Sequence, residues 1–207
     1  MEMELMTIRP VHPSFFEKPT LELAQELLGQ LLVKETPEGT ASGMIVETEA
    51  YIGPGDQAAH SFNNRRTART EVMFGHAGYA YTYVMHTHCL VNVVSGDKDA
   101  PEAVLIRALE PVTGEDLMKK RRPGAKRDRD MTNGPGKLTK ALGITMADYG
   151  HPLWDSPLYI AEGIRPHGIS AGPRIGIDNS GEAVEYPWRF WVSENPYVSG
   201  TKKNNQS

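Results

Sequence analysis

Apolar residues recur at helical spacing through Thr20-Leu21-Glu22-Leu23-Ala24-Gln25-Glu26-Leu27-Leu28, and Gly29 is placed to end that helix. The pattern then changes to the two-residue period of strands. Residues 30–35 and 42–52 read as partners around a Pro37-Glu38-Gly39 turn. Three more strands are predicted at 79–85, 88–94 and 103–109. One helix is predicted from near Gly114 into a basic cluster, and a short one from Lys137 to Leu142. Residues 53–78 lack periodicity and are rich in Gly, Asn, Arg and His, which predicts a long functional loop with some short helix. Residues 122–134 read as exposed loop, and 158–192 as strand-rich with Gly and Pro turns. The last seven residues, Thr201 to Ser207, are expected to be disordered. No repeat or linker divides the chain, so the pattern predicts one mixed α/β domain.

Three strands carry polar groups where a buried strand would be apolar. In Met44-Ile45-Val46-Glu47-Thr48-Glu49-Ala50-Tyr51 the two-residue period puts Glu47, Glu49 and Tyr51 on one face and Val46, Thr48 and Ala50 on the other. An ionised carboxylate is costly to bury without partners, so this face suits a cleft lining; a solvated edge face is the alternative. In 79–85, Tyr79, Tyr81, Tyr83 and Met85 share a face. Tyr79 and Tyr81 are assigned to the core, while the stripe together with Tyr51 has the makings of a stacking pocket for a flat ligand. In Val104-Leu105-Ile106-Arg107-Ala108-Leu109-Glu110, one guanidinium interrupts an apolar strand. Such an arginine requires a carboxylate, and Glu49 is the expected partner.

With 207 residues, 39% hydrophobic and 23% charged, the chain suits a globular protein. No run is long enough to cross a bilayer, and the acidic Met1-Glu2-Met3-Glu4 start is unlike a signal or transit peptide. Cys89 is the only cysteine, which excludes an internal disulfide and points to the cytoplasm. No residue set has convincing metal-ligand spacing, although His86 and His88 stand two apart on a strand; no metal or cofactor is expected. The net charge of −4 conceals an asymmetry. Residues 1–60 hold ten acidic and three basic side chains, whereas residues 115–140 hold nine basic and four acidic ones. Arg65, Arg66 and Arg69 form a second basic cluster. A phosphate backbone responds to such local faces rather than to the sum. Asn133-Gly134-Pro135-Gly136-Lys137-Leu138 opens a helix with backbone N–H groups suited to a phosphate, but without P-loop spacing.

Taken together, these segments resemble the alkyladenine (3-methyladenine) DNA glycosylases of the monofunctional, mammalian-type class. The matching stretches are Phe15 to Leu32, Val46 to Tyr51, Ala58-Ala59-His60-Ser61, Met73-Phe74, Tyr81 to Tyr83, Asn92, Leu105 to Pro111, Asn133 to Leu138 and Arg174-Ile175-Gly176-Ile177. The resemblance implies an α+β fold: a single domain over residues 1–200, with a curved, mostly antiparallel sheet, peripheral helices and a protruding β-hairpin. It implies Glu49 as the general base that activates a water, with Arg107 and the Ile177 carbonyl holding that water. It implies Tyr51, His60 and Tyr83 as walls of the base pocket, and Asn92 as the residue that narrows it against normal purines. Arg65, Thr67, Arg69, Met73 and Lys137 fall in DNA-contacting segments. Relatives carry a wedge tyrosine followed by glycine on the hairpin after the position of Tyr83. Here the text is Met85-His86-Thr87-His88, so His86 is assigned as the wedge and Met85 as the alternative.

The activity so implied is removal of alkylated or deaminated purines from double-stranded DNA by a monomer, without strand cleavage, because no lysine occupies a nucleophile position. Two other classes fit parts of the sequence. A carbohydrate glycosidase would use Glu47 and Glu49 as its acid and base, but side chains on one strand face approach a substrate from one side. A non-catalytic nucleic-acid-binding module would keep the Glu49–Arg107 pair as structure alone.

Overall fold

The computed structural model describes residues 8–200, so the expected disorder of residues 201–207 lies outside the described residues. Among the described residues, nine strands form one curled sheet whose named ladders are all antiparallel. They are β1 (Leu31–Thr36), β2 (Gly39–Ile52), β3 (Ala80–Met85), β4 (His88–Ser95), β5 (Glu102–Thr113), β6 (Trp154–Asp155), β7 (Leu158–Ala161), β8 (Ile169–Gly172) and β9 (Arg189–Val192). The order is β3-β4-β5-β2-β1-β7-β6, and β9 joins β2 to β8. Three α-helices are present among the described residues: α1 (Thr20–Glu26), α2 (Glu115–Arg121) and α3 (Pro135–Leu142). The predicted single α+β fold is what the structure shows.

The 14-residue β2 is the spine of the molecule. One edge pairs with β5 along nearly its whole length. The other edge pairs with β1 over Gly39 to Met44 and with β9 over Glu47 to Glu49. Two residues, Pro37 and Glu38, suffice to turn β1 into β2, because Thr36 pairs directly with Gly39. Apolar residues of α1 and α3 cover one sheet face: Leu23, Leu27, Leu138 and Leu142 pack with Leu32, Ile45, Ile106 and Leu109. Full burial of each such side chain stabilises by roughly 1.5–3 kcal/mol. Gly29 closes α1 with φ +87, and a Cβ there would stand 2.0 Å from the Ile164 carbonyl oxygen. Only glycine permits that approach.

The opposite side holds a smaller cluster of Met73, Tyr81, Tyr83, Leu90 and Leu105. A buried ion pair, Lys34 Nζ to Asp148 Oδ1 at 2.5 Å, ties β1 to the turn at Met146–Asp148. Next to it, the Tyr149 hydroxyl accepts the Val72 N–H and donates toward the Ala68 and Arg69 carbonyls, at 3.1–3.2 Å. That hydroxyl fixes the arginine-rich loop. Among the described residues no helix is long and apolar enough to cross a membrane.

Candidate active site

The site is created by a slip in β2. Before the slip, Ile45 faces the main core, while Met44 and Val46 pack on the other side with Ala108, Trp191 and Val198. The β2–β5 register then shifts between Ile45 and Glu47 and again between Glu47 and Thr48. Beyond it, the Thr48 hydroxyl donates to the Ala24 carbonyl at 2.7 Å and Ala50 joins the main core. A bulge adds a residue and so inverts the alternation of faces. The sequence expectation that Val46 shares a face with Thr48 and Ala50 is therefore corrected. The expectation that Glu47, Glu49 and Tyr51 act together survives. On β5 the same slip leaves Arg107 outside the register, between Ile106 and Ala108, with its side chain at the two carboxylates.

Glu47 and Glu49 are both fully buried, yet their surroundings differ. Glu47 Oε1 accepts from Arg189 Nε at 2.7 Å, from the Ser199 hydroxyl at 3.0 Å and from Arg107 Nε at 3.1 Å; its Oε2 accepts the Ser199 N–H at 2.7 Å. Burial pushes its carboxyl up, and the Arg107 and Arg189 guanidinium groups outweigh burial and hold it below the usual range. Glu49 takes the Tyr51 hydroxyl on Oε2 and the Ile175 N–H on Oε1, both at 2.7 Å. Arg107 Nε stands 3.4 Å from Glu49 Oε1. The expected Glu49–Arg107 contact is present as an ion pair, but the hydrogen bond of Arg107 Nε goes to Glu47. Unit charges about 4 Å apart interact by roughly 4 kcal/mol at an effective dielectric of 20, so neither carboxylate lacks compensation. A carboxylate offers about four acceptor positions, so Glu49 keeps acceptor capacity that Glu47 has used.

Tyr51, Arg107 and Ile175, the three groups that hold Glu49, line a cavity of about 310 Å³. Its walls include His60, Tyr81, Tyr83, Asn92 and Ile177. Tyr81, assigned to the core from sequence, is buried but also lines this cavity; its hydroxyl meets His60 Nδ1 at 2.8 Å. The His60 and Tyr83 rings meet edge to face at 4.6 Å. Burial, then Arg69 and Arg65, pushes His60 down to about 4, so its ring is a neutral wall at neutral pH. Burial, then the Glu49 charge, pushes Tyr83 up to about 12. Tyr51 is raised by burial and by Glu49. Asn92 is 3% exposed and donates to the Tyr81 carbonyl at 3.0 Å, which fixes its side chain in the wall. The Ile177 carbonyl accepts the Ser180 N–H at 3.0 Å and retains a second lone pair.

Among the residues assigned to DNA contact, Arg65 and Arg69 lie close enough to His60 in the cavity wall to lower its proton affinity. Arg65 and Arg69 are exposed. Thr67 is half-buried and clips its own loop through Thr70. Met73 lies deeper: it is 2% exposed and lines the cavity rather than the outer surface. Lys137 is half-buried at the start of α3 and donates to Asn133 Oδ1 at 2.8 Å. His88 packs so closely on Gly136 that a Cβ there would lie 2.7 Å from the His88 Cβ, which docks the hairpin on α3. His86 and Thr87 form the two-residue β3–β4 turn with φ 48 and 70. Both left-handed positions are what such hairpins require. Met85, 41% exposed, lines the cavity, whereas His86 stands at the exposed tip outside the lining.

Three buried groups escaped sequence reasoning. Arg189 and Ser199 complete the Glu47 cluster. Asp56 binds Arg174 in a two-bonded pair at 2.6 and 2.8 Å, both fully buried. Arg174 also lies 4.7 Å from the Tyr51 ring centroid. This pair ties the loop after β2 to the segment bearing Ile175 and Ile177. The available signal for Arg189 was a charge inside the apolar run Trp188-Arg189-Phe190-Trp191, the same cue that singled out Arg107. No group of three or more metal-ligating side chains occurs among the described residues.

The antiparallel sheet thus carries an aromatic-walled cavity, with a compensated, buried carboxylate behind its wall and exposed arginines on the loop that bears His60. The model of the methylpurine-DNA glycosylase family matches residues 14–196, and the chain belongs to that family. It is 70% identical over 190 residues to a Bacillus licheniformis protein named "Putative 3-methyladenine DNA glycosylase", covering 92% of this chain and 96% of the relative. Proteins of the same name from Bacillus subtilis and Listeria monocytogenes strain EGD-e are 67% and 52% identical, each over 92% of this chain and over 96% and 93% of the relative, respectively.

Proposed function

We propose that this protein removes alkylated purines such as 3-methyladenine from double-stranded DNA by hydrolysing the N-glycosidic bond, with Glu49 as the base that activates water. The observation that carries this reading is the placement of Glu49 directly behind Tyr51, Arg107 and Ile175 at the cavity wall. The cavity is recessed into the protein surface, so a stacked purine reaches it only after rotating out of the helix, at a cost of a few kcal/mol. Stacking on Tyr51 and Tyr83 offsets part of that cost, at about 1–3 kcal/mol per base, and electron-rich rings favour cationic alkylpurines. Arg65, Arg69 and Lys137 hold the backbone phosphates. Water between Glu49, Arg107 and the Ile177 carbonyl attacks C1′ as the base departs; its proton passes to Glu49. General-base assistance contributes about 10²–10⁴ in rate. A purine alkylated at a ring nitrogen leaves without an acid, and none of the residues lining the cavity is a lysine that would form a Schiff base. The enzyme is thus monofunctional in this reading and acts as a cytoplasmic monomer.

The hairpin supplies the wedge. Met85 combines an apolar, exposed side chain with a place on the cavity rim. This reverses the order assigned from sequence, in which His86 came first. Glu47 has no acceptor capacity to spare and no exposure, which disfavours a paired-carboxylate sugar hydrolase. Chromatography of bases released from methylated DNA, comparing wild type with Glu49→Gln, tests the reading directly. Free 3-methyladenine from the wild type alone supports it; no release by the wild type refutes it.

A further inference from the structure

We propose that Arg189 is a positioning residue for the reaction: by neutralising Glu47 it keeps the charge of Arg107 available to Glu49. The inference rests on the reading of Glu49 as the base. Its geometric basis is a competition for one atom. Arg107 Nε lies 3.1 Å from Glu47 Oε1 and 3.4 Å from Glu49 Oε1, so the two carboxylates flank one nitrogen whose hydrogen bond goes to Glu47. Glu47 has the shorter contact and would claim the guanidinium if nothing else balanced it. Arg189 Nε, at 2.7 Å, makes the shortest guanidinium contact to Glu47, and Ser199 adds its N–H and hydroxyl.

Arg189 is itself held rigidly. It is fully buried on β9, its guanidinium lies 4.4 Å from the Trp191 ring centroid, and its Nη2 donates to the Ser199 carbonyl at 3.4 Å. β9 pairs Arg189 with Glu49 and Trp191 with Glu47 across the ladder, so the cation is fixed by backbone register rather than by a free side chain. The groups that face Glu49 are Arg107 from β5, Glu47 and Tyr51 from its own strand, Tyr83 from β3, the Ile175 N–H, and Arg189 one shell further out. Loss of Arg189 leaves Glu47 underbalanced. Arg107 then turns toward Glu47, and Glu49 loses the cation that balances its charge. The opposite change, loss of the Glu47 charge, leaves both guanidinium groups for Glu49.

Single-turnover release of 3-methyladenine from duplex DNA, measured against pH, tests this with Arg189→Met, Arg189→Lys, Glu47→Gln and the double variant Glu47→Gln/Arg189→Met. Arg189→Met is expected to move the acidic limb up by about one pH unit, hence about tenfold slower release on that side, with the alkaline plateau within about threefold of wild type. Arg189→Lys, which keeps the charge, leaves the limb in place. Glu47→Gln moves it down. The double variant restores both the limb and the rate at pH 7 to within about threefold of wild type. A limb common to all variants, or a double variant as slow as Arg189→Met, overturns the proposal. So does an Arg189→Met protein whose plateau falls while its limb stays. Failure of the underlying reading looks different: Glu49→Gln would remain active whatever Arg189 does.

Discussion

Glu47 and Glu49 stand two residues apart on one strand, share one arginine and are equally buried, yet they occupy two different kinds of site. The Glu47 site is saturated: two guanidinium groups and both polar groups of Ser199 satisfy it. The Glu49 site is held by a phenol and one backbone N–H that also line a cavity. Burial alone therefore does not identify a reacting carboxylate. What separates the two is whether the partners of the buried charge face more protein or an opening.

The largest effect that sharpens this contrast concerns function. Glu49→Gln is expected to slow base release at least about 100-fold, the scale of general-base assistance, while changing the affinity for damaged duplex by less than about threefold. The mirror-image effect concerns stability. Glu47→Gln leaves two buried guanidinium groups short of a counter-charge and is expected to cost about 3–5 kcal/mol in urea unfolding. Glu49→Gln, which leaves Arg107 bonded to Glu47, is expected to cost about 1 kcal/mol. Equal stability losses in the two variants would erase the distinction.

A smaller effect lies at the rim. Met85→Ala is expected to weaken retention of the extruded base about tenfold, read by fluorescence of a base analogue opposite thymine, and His86→Ala by no more than about threefold. The reverse order would return the wedge to His86. A pH-dependent effect is set by His60, whose folded value lies near 4 against an ordinary 6.5. The unfolded chain binds this proton first, so the neutral ring contributes stability that is complete above about pH 6.5 and is lost as pH falls toward about 4. His60→Gln is expected to lose less stability than wild type across that window, by thermal melting at a series of pH values.

Much of this architecture was legible in the sequence. Helical period with a closing glycine marked α1. Alternation marked the β3–β4 hairpin, and Pro135 with Gly143 brackets a helix that was expected two residues shorter. Polar interruptions in two apolar strands marked Glu49, Tyr51 and Arg107. What stayed hidden depends on long-range geometry. The β2–β5 register skips Val46, and no local pattern encodes that slip. Asp56 and Arg174 are separated by 118 residues and carry no periodic signature. Arg189 did carry a legible cue, a lone charge among aromatics, but its partner Glu47 is not the carboxylate that the sequence marked as catalytic.

In the proposed reaction Glu49, and not Glu47, activates the water. Single-turnover release of 3-methyladenine by Glu49→Gln on fully bound duplex tests it most directly. A rate at least about 100-fold below wild type is expected, and a rate of a tenth of wild type or more would remove Glu49 as the base.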